Sequence, residues 1–306
     1  MKTNPRICLF PLPALLALTA GPVLAQTVSL AQSPLYLEAG VKPNVLVVYD
    51  NSPSMEFMLP GGQGTVLLEH PNTRGNIARA ALRDIVGTYR SQFRWGLATF
   101  ENQGLAGPAR TAELPIQYYS PSTNGMGVIR RQVQDDSGAH YAALLSLLGT
   151  ETSNINTAEI KNGSRGTPLQ GAIRTAYQYY ANTWPNTSSP ITNRTCQRSY
   201  VLLATDGDPT VRVGYESFYT SAEMTNRQVD GSWVLGQAAQ DVVTEIGRLR
   251  TLTVSGNAAI NGQYDVQTYV VGLGEVATNQ ASIAAMNRMA TAGGTGSAYM
   301  ATDRAT

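Results

Sequence analysis

Asp50-Asn51-Ser52-Pro53-Ser54 places one carboxylate and two hydroxyls at alternate positions, a spacing that lets all three oxygens turn toward one point. Hard oxygen donors of this kind suit Mg²⁺, Mn²⁺ or Ca²⁺ rather than softer metals. Taken alone, the pentapeptide reads equally as an Asn- and Ser-rich turn ending a strand. Two distant positions shift that balance. Thr167 precedes a predicted helix, and Asp206 opens the turn Asp206-Gly207-Asp208 behind an apolar run. Each has a local explanation, Thr167 as a helix N-cap and Asp206 as a turn residue. A fold that carries all three segments to one rim would make Asp50, Ser52, Ser54, Thr167 and Asp206 one site for one divalent cation, Mg²⁺ first, with Mn²⁺ and Ca²⁺ as alternatives.

Other chemistries lack their usual marks. His70 and His140 are the only histidines, and neither has metal-ligand spacing to a second His or a Cys, which argues against zinc. Both are expected in solvated surface roles. The sequence contains no G-x-S-x-G, H-E-x-x-H or Walker A pattern, so the expectation is a non-enzymatic protein. Gly272-Leu273-Gly274-Glu275-Val276-Ala277 fits a dinucleotide fingerprint, but too little chain follows for the acidic strand of a βαβ unit, and a tight strand-to-helix turn is the better reading. A formal net charge of +1 without clustered Lys and Arg argues against a nucleic-acid partner. Asp135-Asp136 reads as a solvated charged turn, and Asn162, Asn186 and Asn193 head N-x-S/T triplets.

The elements that would position the acidic and hydroxyl residues are legible as buried runs and helical stripes. With 306 residues, 42% hydrophobic and 14% charged, the chain has material for a sizeable core. Asn44 to Tyr49 has no polar alternation, the pattern of a strand covered on both faces. Residues 93–100, 200–204 and 266–273 are further strand candidates, with 297–301 a last one. Residues 76–90 place Ile77, Ala81, Ile85 and Tyr89 at i+4 spacing, predicting an amphipathic helix. Thr167-Pro168 pairs an N-cap with Pro at the first helical position, ahead of a stripe of Leu169, Ile173, Ala176 and Tyr180. In that helix Tyr177 and Tyr180 fit the buried side and Tyr179 is expected outside. Helices are also predicted over 236–250 and 278–290. Residues 101–165 read as an irregular insertion holding a short strand near 115–119 and a helix near 138–149. Alternation of strands and helices predicts an α/β fold, a doubly wound, mainly parallel sheet flanked by helices.

The amino terminus reads differently. Lys2 and Arg6 precede an apolar run from Ile7 to Leu18, and Val23-Leu24-Ala25 offers a cleavage site, so residues 1–25 are expected to be a secretory signal peptide. Residues 26–42 form a lead, and 43–306 the domain. No later segment is apolar enough over the roughly 20 residues a membrane span needs. Cys8 leaves with the signal peptide, so Cys196 stands alone in the mature chain, either a thiol without a partner or a small buried hydrophobe. A closing helix expected after the last strand is missing, which reads as a piece of a longer chain.

D-x-S-x-S, a threonine ahead of a helix and a strand ending in Thr205-Asp206-Gly207 together resemble the metal-ion-dependent adhesion site of von Willebrand factor A domains. The resemblance covers roughly residues 43–301, and Val270-Val271-Gly272-Leu273-Gly274 is similar to the penultimate strand of such domains. It implies that Ser52 and Ser54 bind the ion directly, Asp50 and Asp206 largely through water, and Thr167 in either way. Pro53 stands where Gly is commoner, at a position that is not a ligand. More narrowly, Ser33-Pro34-Leu35, Gly40-Val41-Lys42-Pro43-Asn44-Val45 and Cys196 ahead of Tyr200-Val201-Leu202-Leu203 resemble the amino-terminal part of the PilC/PilY family of type IV pilus biogenesis factors and tip-associated adhesins. That resemblance implies passage through the periplasm to the cell surface or pilus. If protein and water oxygens leave one coordination position of the ion open, an acidic side chain of a protein ligand is expected to fill it; other pilus proteins such as minor pilins are the further expected partners. Larger family members carry a carboxy-terminal β-propeller, and nothing in this sequence resembles one. The alternative is a structural pilus-assembly component docking with minor pilins, its metal only stabilising the rim loops.

Overall fold

The chain divides at Gly40 into two units, and the residues described by the computed structural model all lie in the second, Val41–Thr306. They are 41–59, 69–100, 102–103, 120–121, 126–152, 154, 156–162, 166–192, 197–213 and 218–301. The predicted signal peptide, nearly all of the lead, the strand expected near 115–119, Asn193 and Cys196 fall outside them. In chain order the elements are β1 (Asn44–Tyr49), a 3₁₀ turn (Pro53–Glu56), α1 (Arg74–Tyr89), β2 (Arg94–Phe100), β3 (Asn102–Gln103), β4 (Ser120–Pro121) and β5 (Gly127–Gln134). Next come α2 (Ala139–Leu147), α3 (Leu169–Tyr180), β6 (Ser199–Thr205), α4 (Ser221–Met224), β7 (Arg227–Val229) and β8 (Ser232–Val234). The last are α5 (Gln237–Leu249), β9 (Leu252–Val254), β10 (Gly262–Tyr264), β11 (Val266–Leu273), a 3₁₀ turn (Gly274–Ala277), α6 (Gln280–Ala292) and β12 (Tyr299–Ala301).

Six strands form the main sheet in the order β12-β11-β6-β1-β2-β5. All neighbours are parallel except β2 and β5. The buried runs predicted from sequence are its central strands, because helices cover both faces. Along β1, Leu46 and Val48 join the core packed by α3, α5 and α6, whereas Val45, Val47 and Tyr49 join the core packed by α1 and α2. The fold is therefore the expected doubly wound α/β arrangement. From β1 the chain moves outward to β2 on one side and later returns to build β6 on the other. This makes the gap between β1 and β6 the point where the winding reverses, and in such sheets the crevice beyond the strands' carboxyl ends there is the usual ligand position.

Several expectations are corrected by the packing. Residues 101–165 are not merely an insertion, since β5 within them is the antiparallel edge of the main sheet. Its sequence hides this, because an edge strand needs apolar residues only where it is covered, and Arg130, Arg131 and Gln132 face outward. Helix α1 buries Ala78, Leu82 and Val86, while Ile85 and Tyr89 are exposed. Of the predicted stripe only Ile77 is buried: the covered series Ala78, Leu82 and Val86 has the same i+4 spacing one residue further on, and one residue turns the helix by about 100°, which carries Ala81, Ile85 and Tyr89 off the covered face. Tyr179 is fully buried rather than outside, because α3 packs both on the sheet and beside α5 and β5. Its hydroxyl accepts a hydrogen bond from Val133 N at 2.7 Å.

His140 is buried, with Nε2 2.8 Å from the Trp95 carbonyl. His70 is half-buried, and its Nδ1 accepts from Asn72 N at 3.1 Å. Both serve local structure rather than solvated surface roles. Asp135 faces solvent, paired with Lys42 and Arg94, whereas Asp136 is half-buried against Arg90.

Candidate metal centre

The register between β1 and β6 places Tyr49 opposite Ala204, so the residues that follow, Asp50 and Thr205, emerge side by side at the winding reversal. Asp50 is fully buried there. Its Oδ1 accepts from Ser52 N at 2.8 Å, closing an Asx turn that folds the loop back, and its Oδ2 accepts from the Thr205 hydroxyl. The loop then tightens into the 3₁₀ turn Pro53–Glu56, for which Pro53 supplies a fitting backbone angle. This brings Ser52 Oγ within 3.0 Å of Ser54 Oγ. Ser54 Oγ in turn donates to Asp206 Oδ1 at 2.8 Å. Loop β1 and loop β6 are thus joined through the residues singled out by their chemistry.

Thr167 arrives from the segment before α3. It does not cap that helix: the N-cap position is Pro168, with ψ 56° and no side-chain cap. Thr167 N instead donates to Thr210 Oγ1 at 2.7 Å, and Thr167 O accepts from Thr210 N at 3.0 Å. The hydroxyl of Thr167 has no hydrogen-bond partner among the described residues and is left for the site. A methyl group placed on Gly207 would lie 3.4 Å from Thr167 Oγ1 and 3.8 Å from Ser54 Oγ. Both hydroxyls therefore lie beside Gly207, at ordinary contact distance from where a side chain there would begin. All five predicted positions meet in one place.

Arg74, at the first turn of α1, was not legible as a site residue. Its Nη1 donates to Asp206 Oδ2 at 2.8 Å, and both side chains are almost wholly buried. Thr205, which holds Asp50, was also missed as a participant, although it stands in the Thr205-Asp206-Gly207 signature. Burial pushes the Asp50 carboxyl up to about 7, reinforced by the nearby Asp206 charge and opposed by the hydrogen bonds from Ser52 and Thr205. Burial also raises Asp206, against the pull of Arg74. Two desolvated carboxylates, of which only Asp206 has a guanidinium partner, are the condition that a bound cation relieves. Among the described residues, no group of three or more His, Cys, Asp and Glu side chains gathers. Two carboxylates and three hydroxyls, all oxygen, fit a hard divalent cation and do not fit zinc or copper.

A buried scaffold lies beneath the rim. Arg79 donates to Asn76 Oδ1 at 3.0 Å and Glu151 Oε2 at 3.2 Å, and also to the Ile160 carbonyl. Glu151 accepts from Asn162 N at 2.9 Å and Asn162 Nδ2 at 2.6 Å. Tyr49 OH lies 3.3 Å from Asn162 Oδ1, and Asn51 Nδ2 donates to Lys161 O at 3.2 Å while its Oδ1 accepts from Phe100 N at 3.0 Å. Asn51, between the candidate ligands, thus points away from them and anchors the loop to the 151–162 segment and to β2. Its sequon use apart, Asn162 is buried in this network.

No protein-family model matches the chain, and no curated protein does. Among solved structures, the chain is similar to the pilus adhesin SpaC from Lactobacillus rhamnosus GG, with 13% identity, a TM-score of 0.43 and coverage of 87% of this chain and 29% of that one. It is similar to the PilB minor pilin from Streptococcus sanguinis, with 12% identity, a TM-score of 0.44 and coverage of 87% and 59%. The ArnB paralog VWA2 from Sulfolobus acidocaldarius gives 15% identity, a TM-score of 0.38 and coverage of 85% and 41%. The chain spans less than two thirds of each of these proteins. No helix of the described residues is long and apolar enough to cross a membrane.

Proposed function

We propose that this chain is a non-enzymatic, metal-dependent binding domain of the von Willebrand factor A type, exported and acting in type IV pilus assembly and surface attachment. The observation that carries the reading is the meeting of Asp50, Ser52, Ser54, Thr167 and Asp206 at the carboxyl ends of β1 and β6. These residues would hold one divalent cation, Mg²⁺ first, and the ion would supply a positive coordination position open to an acidic side chain of a protein partner. Asp50 and Asp206 provide the charge, the three hydroxyls provide neutral donors, and Asn51 holds the loop in shape from behind. The pilus assignment rests on the amino-terminal sequence resemblance.

A second reading has one observation in its favour. Thr205 to Asp50, Ser54 to Asp206 and Arg74 to Asp206 already tie the rim together through the chain's own groups. Under that reading the ion only stabilises the rim, and the domain docks with minor pilins through its helical faces.

Calorimetric titration of the signal-free protein with Mg²⁺ and Mn²⁺, beside an Asp50→Ala, Ser52→Ala double variant, tests the site. Saturable one-site binding in the wild type and none in the variant is expected. A folded wild type that takes up neither ion would overturn the metal-dependent reading and leave the structural one.

A further inference from the structure

Beside the candidate metal centre, and sharing Ser54, Arg74 and Asp206 with it, a cleft of about 230 Å³ opens toward the start of α6. Its other walls are Phe57, Gly207, Asp208, Val276, Asn279 and Ser282. The charges in it are not balanced. Arg74 is almost fully buried behind the Phe57 ring, its guanidinium carbon 5.5 Å from the ring centroid, and is already committed to Asp206. Asp208 is different. Its Oδ2 accepts from Ser282 Oγ at 3.1 Å, while its Oδ1 has no hydrogen-bond partner among the described residues. Asn279 caps α6, its Oδ1 accepting from Ala281 N at 2.9 Å, and brings no charge to offset that of Asp208. The cleft therefore has apolar sides, Phe57 and Val276, and one carboxylate oxygen still able to accept.

We propose that this cleft is a second recognition subsite, taking a lysine or arginine side chain that neighbours the partner's metal-seeking carboxylate. A long aliphatic stem with a cationic head matches apolar walls ending in a carboxylate, because such side chains bury the stem and keep the head on a polar partner. The partner is then recognised as an acidic residue next to a basic one, rather than by acidity alone. This deepens the proposed function and rests on it.

The test uses the signal-free chain saturated with Mg²⁺ and three capped tetrapeptides, acetyl-Gly-Asp-X-Gly-amide with X as Lys, Leu or Glu, followed by NMR titration. The Lys peptide is expected to bind about fivefold more tightly than the Leu peptide, the scale of one partly screened ion pair, with the Glu peptide weakest. The Lys preference should fade as ionic strength rises. In Asp208→Asn the Lys-to-Leu ratio should fall to near one; both peptides are compared on the same Mg²⁺-loaded variant, so any change in ion affinity cancels. Equal binding of the three peptides to the wild type would overturn the subsite and leave the metal centre standing. Failure of the wild type to bind Mg²⁺ in the preceding titration, or failure of every peptide to bind the loaded protein, would overturn the subsite together with the reading beneath it.

Discussion

At Asp206 one carboxylate serves two neighbours. Its Oδ2 belongs to Arg74 and its Oδ1 to Ser54, both at 2.8 Å. The guanidinium makes burial of the acid tolerable, yet it also lowers the negative potential that would draw in a second cation. Replacing Arg74 with Met should therefore separate the two effects. Without metal, Arg74→Met should lose about 3–5 kcal/mol of stability, because a buried charge is left without its counterion. With Mg²⁺ the variant should recover more stability than the wild type does, since its site is more negative. Urea denaturation of both proteins with chelator and with saturating Mg²⁺ measures this. Equal gains in both would mean that Asp206 and the ion do not communicate. The same scale explains why Thr167 matters: its hydroxyl is spared from capping because Pro168 takes a non-helical ψ. A sequence reading of Thr-Pro as cap and first helical residue was chemically sound and locally wrong.

At the scale of elements, α3 is held from two sides. It packs on the sheet through Leu169, Ile173 and Ala176 and reaches across to the edge strand β5 through Tyr179. The i+3 and i+4 stripe predicted only the first contact, so Tyr179 was placed outside. Its hydroxyl accepts the Val133 N–H at a register irregularity of β5, where the ladder to β2 does not supply an acceptor. Tyr179→Phe keeps the ring packing and removes that acceptor. It should cost about 1–3 kcal/mol, the penalty of an unsatisfied buried donor, and should speed hydrogen exchange at Val133 relative to the central strands. Unchanged exchange there would show that the edge is secured by its other contacts. Helix α1 carries the same lesson, since two i+4 series lie side by side on it and packing covers Ala78, Leu82 and Val86 but, of the predicted series, only Ile77.

Across the whole molecule, the winding reversal between β1 and β6 makes the site a property of the sheet rather than of any loop. Ion binding should accordingly report on global stability. At Mg²⁺ about 100-fold above its dissociation constant, the folded state gains about 2.7 kcal/mol, which for a domain of this size is about 5–10 °C in melting temperature. Chelator should erase that shift, and the Asp50→Ala, Ser52→Ala protein should never show it. A wild type that melts identically with and without the ion would mean that binding is absent or not linked to folding. By itself the sequence determined the kinds of element and most of the candidate site. Buried strands, helix stripes and turn residues are set by neighbours a few positions away, and D-x-S-x-S and T-D-G carry their donors locally. Only the tertiary structure decided which helix faces are covered, that β5 closes the sheet as an antiparallel edge, and that Arg74 and Thr205 hold the two acids. Those outcomes depend on strand register and on burial between distant segments, and no local spacing encodes a counterion 132 residues away.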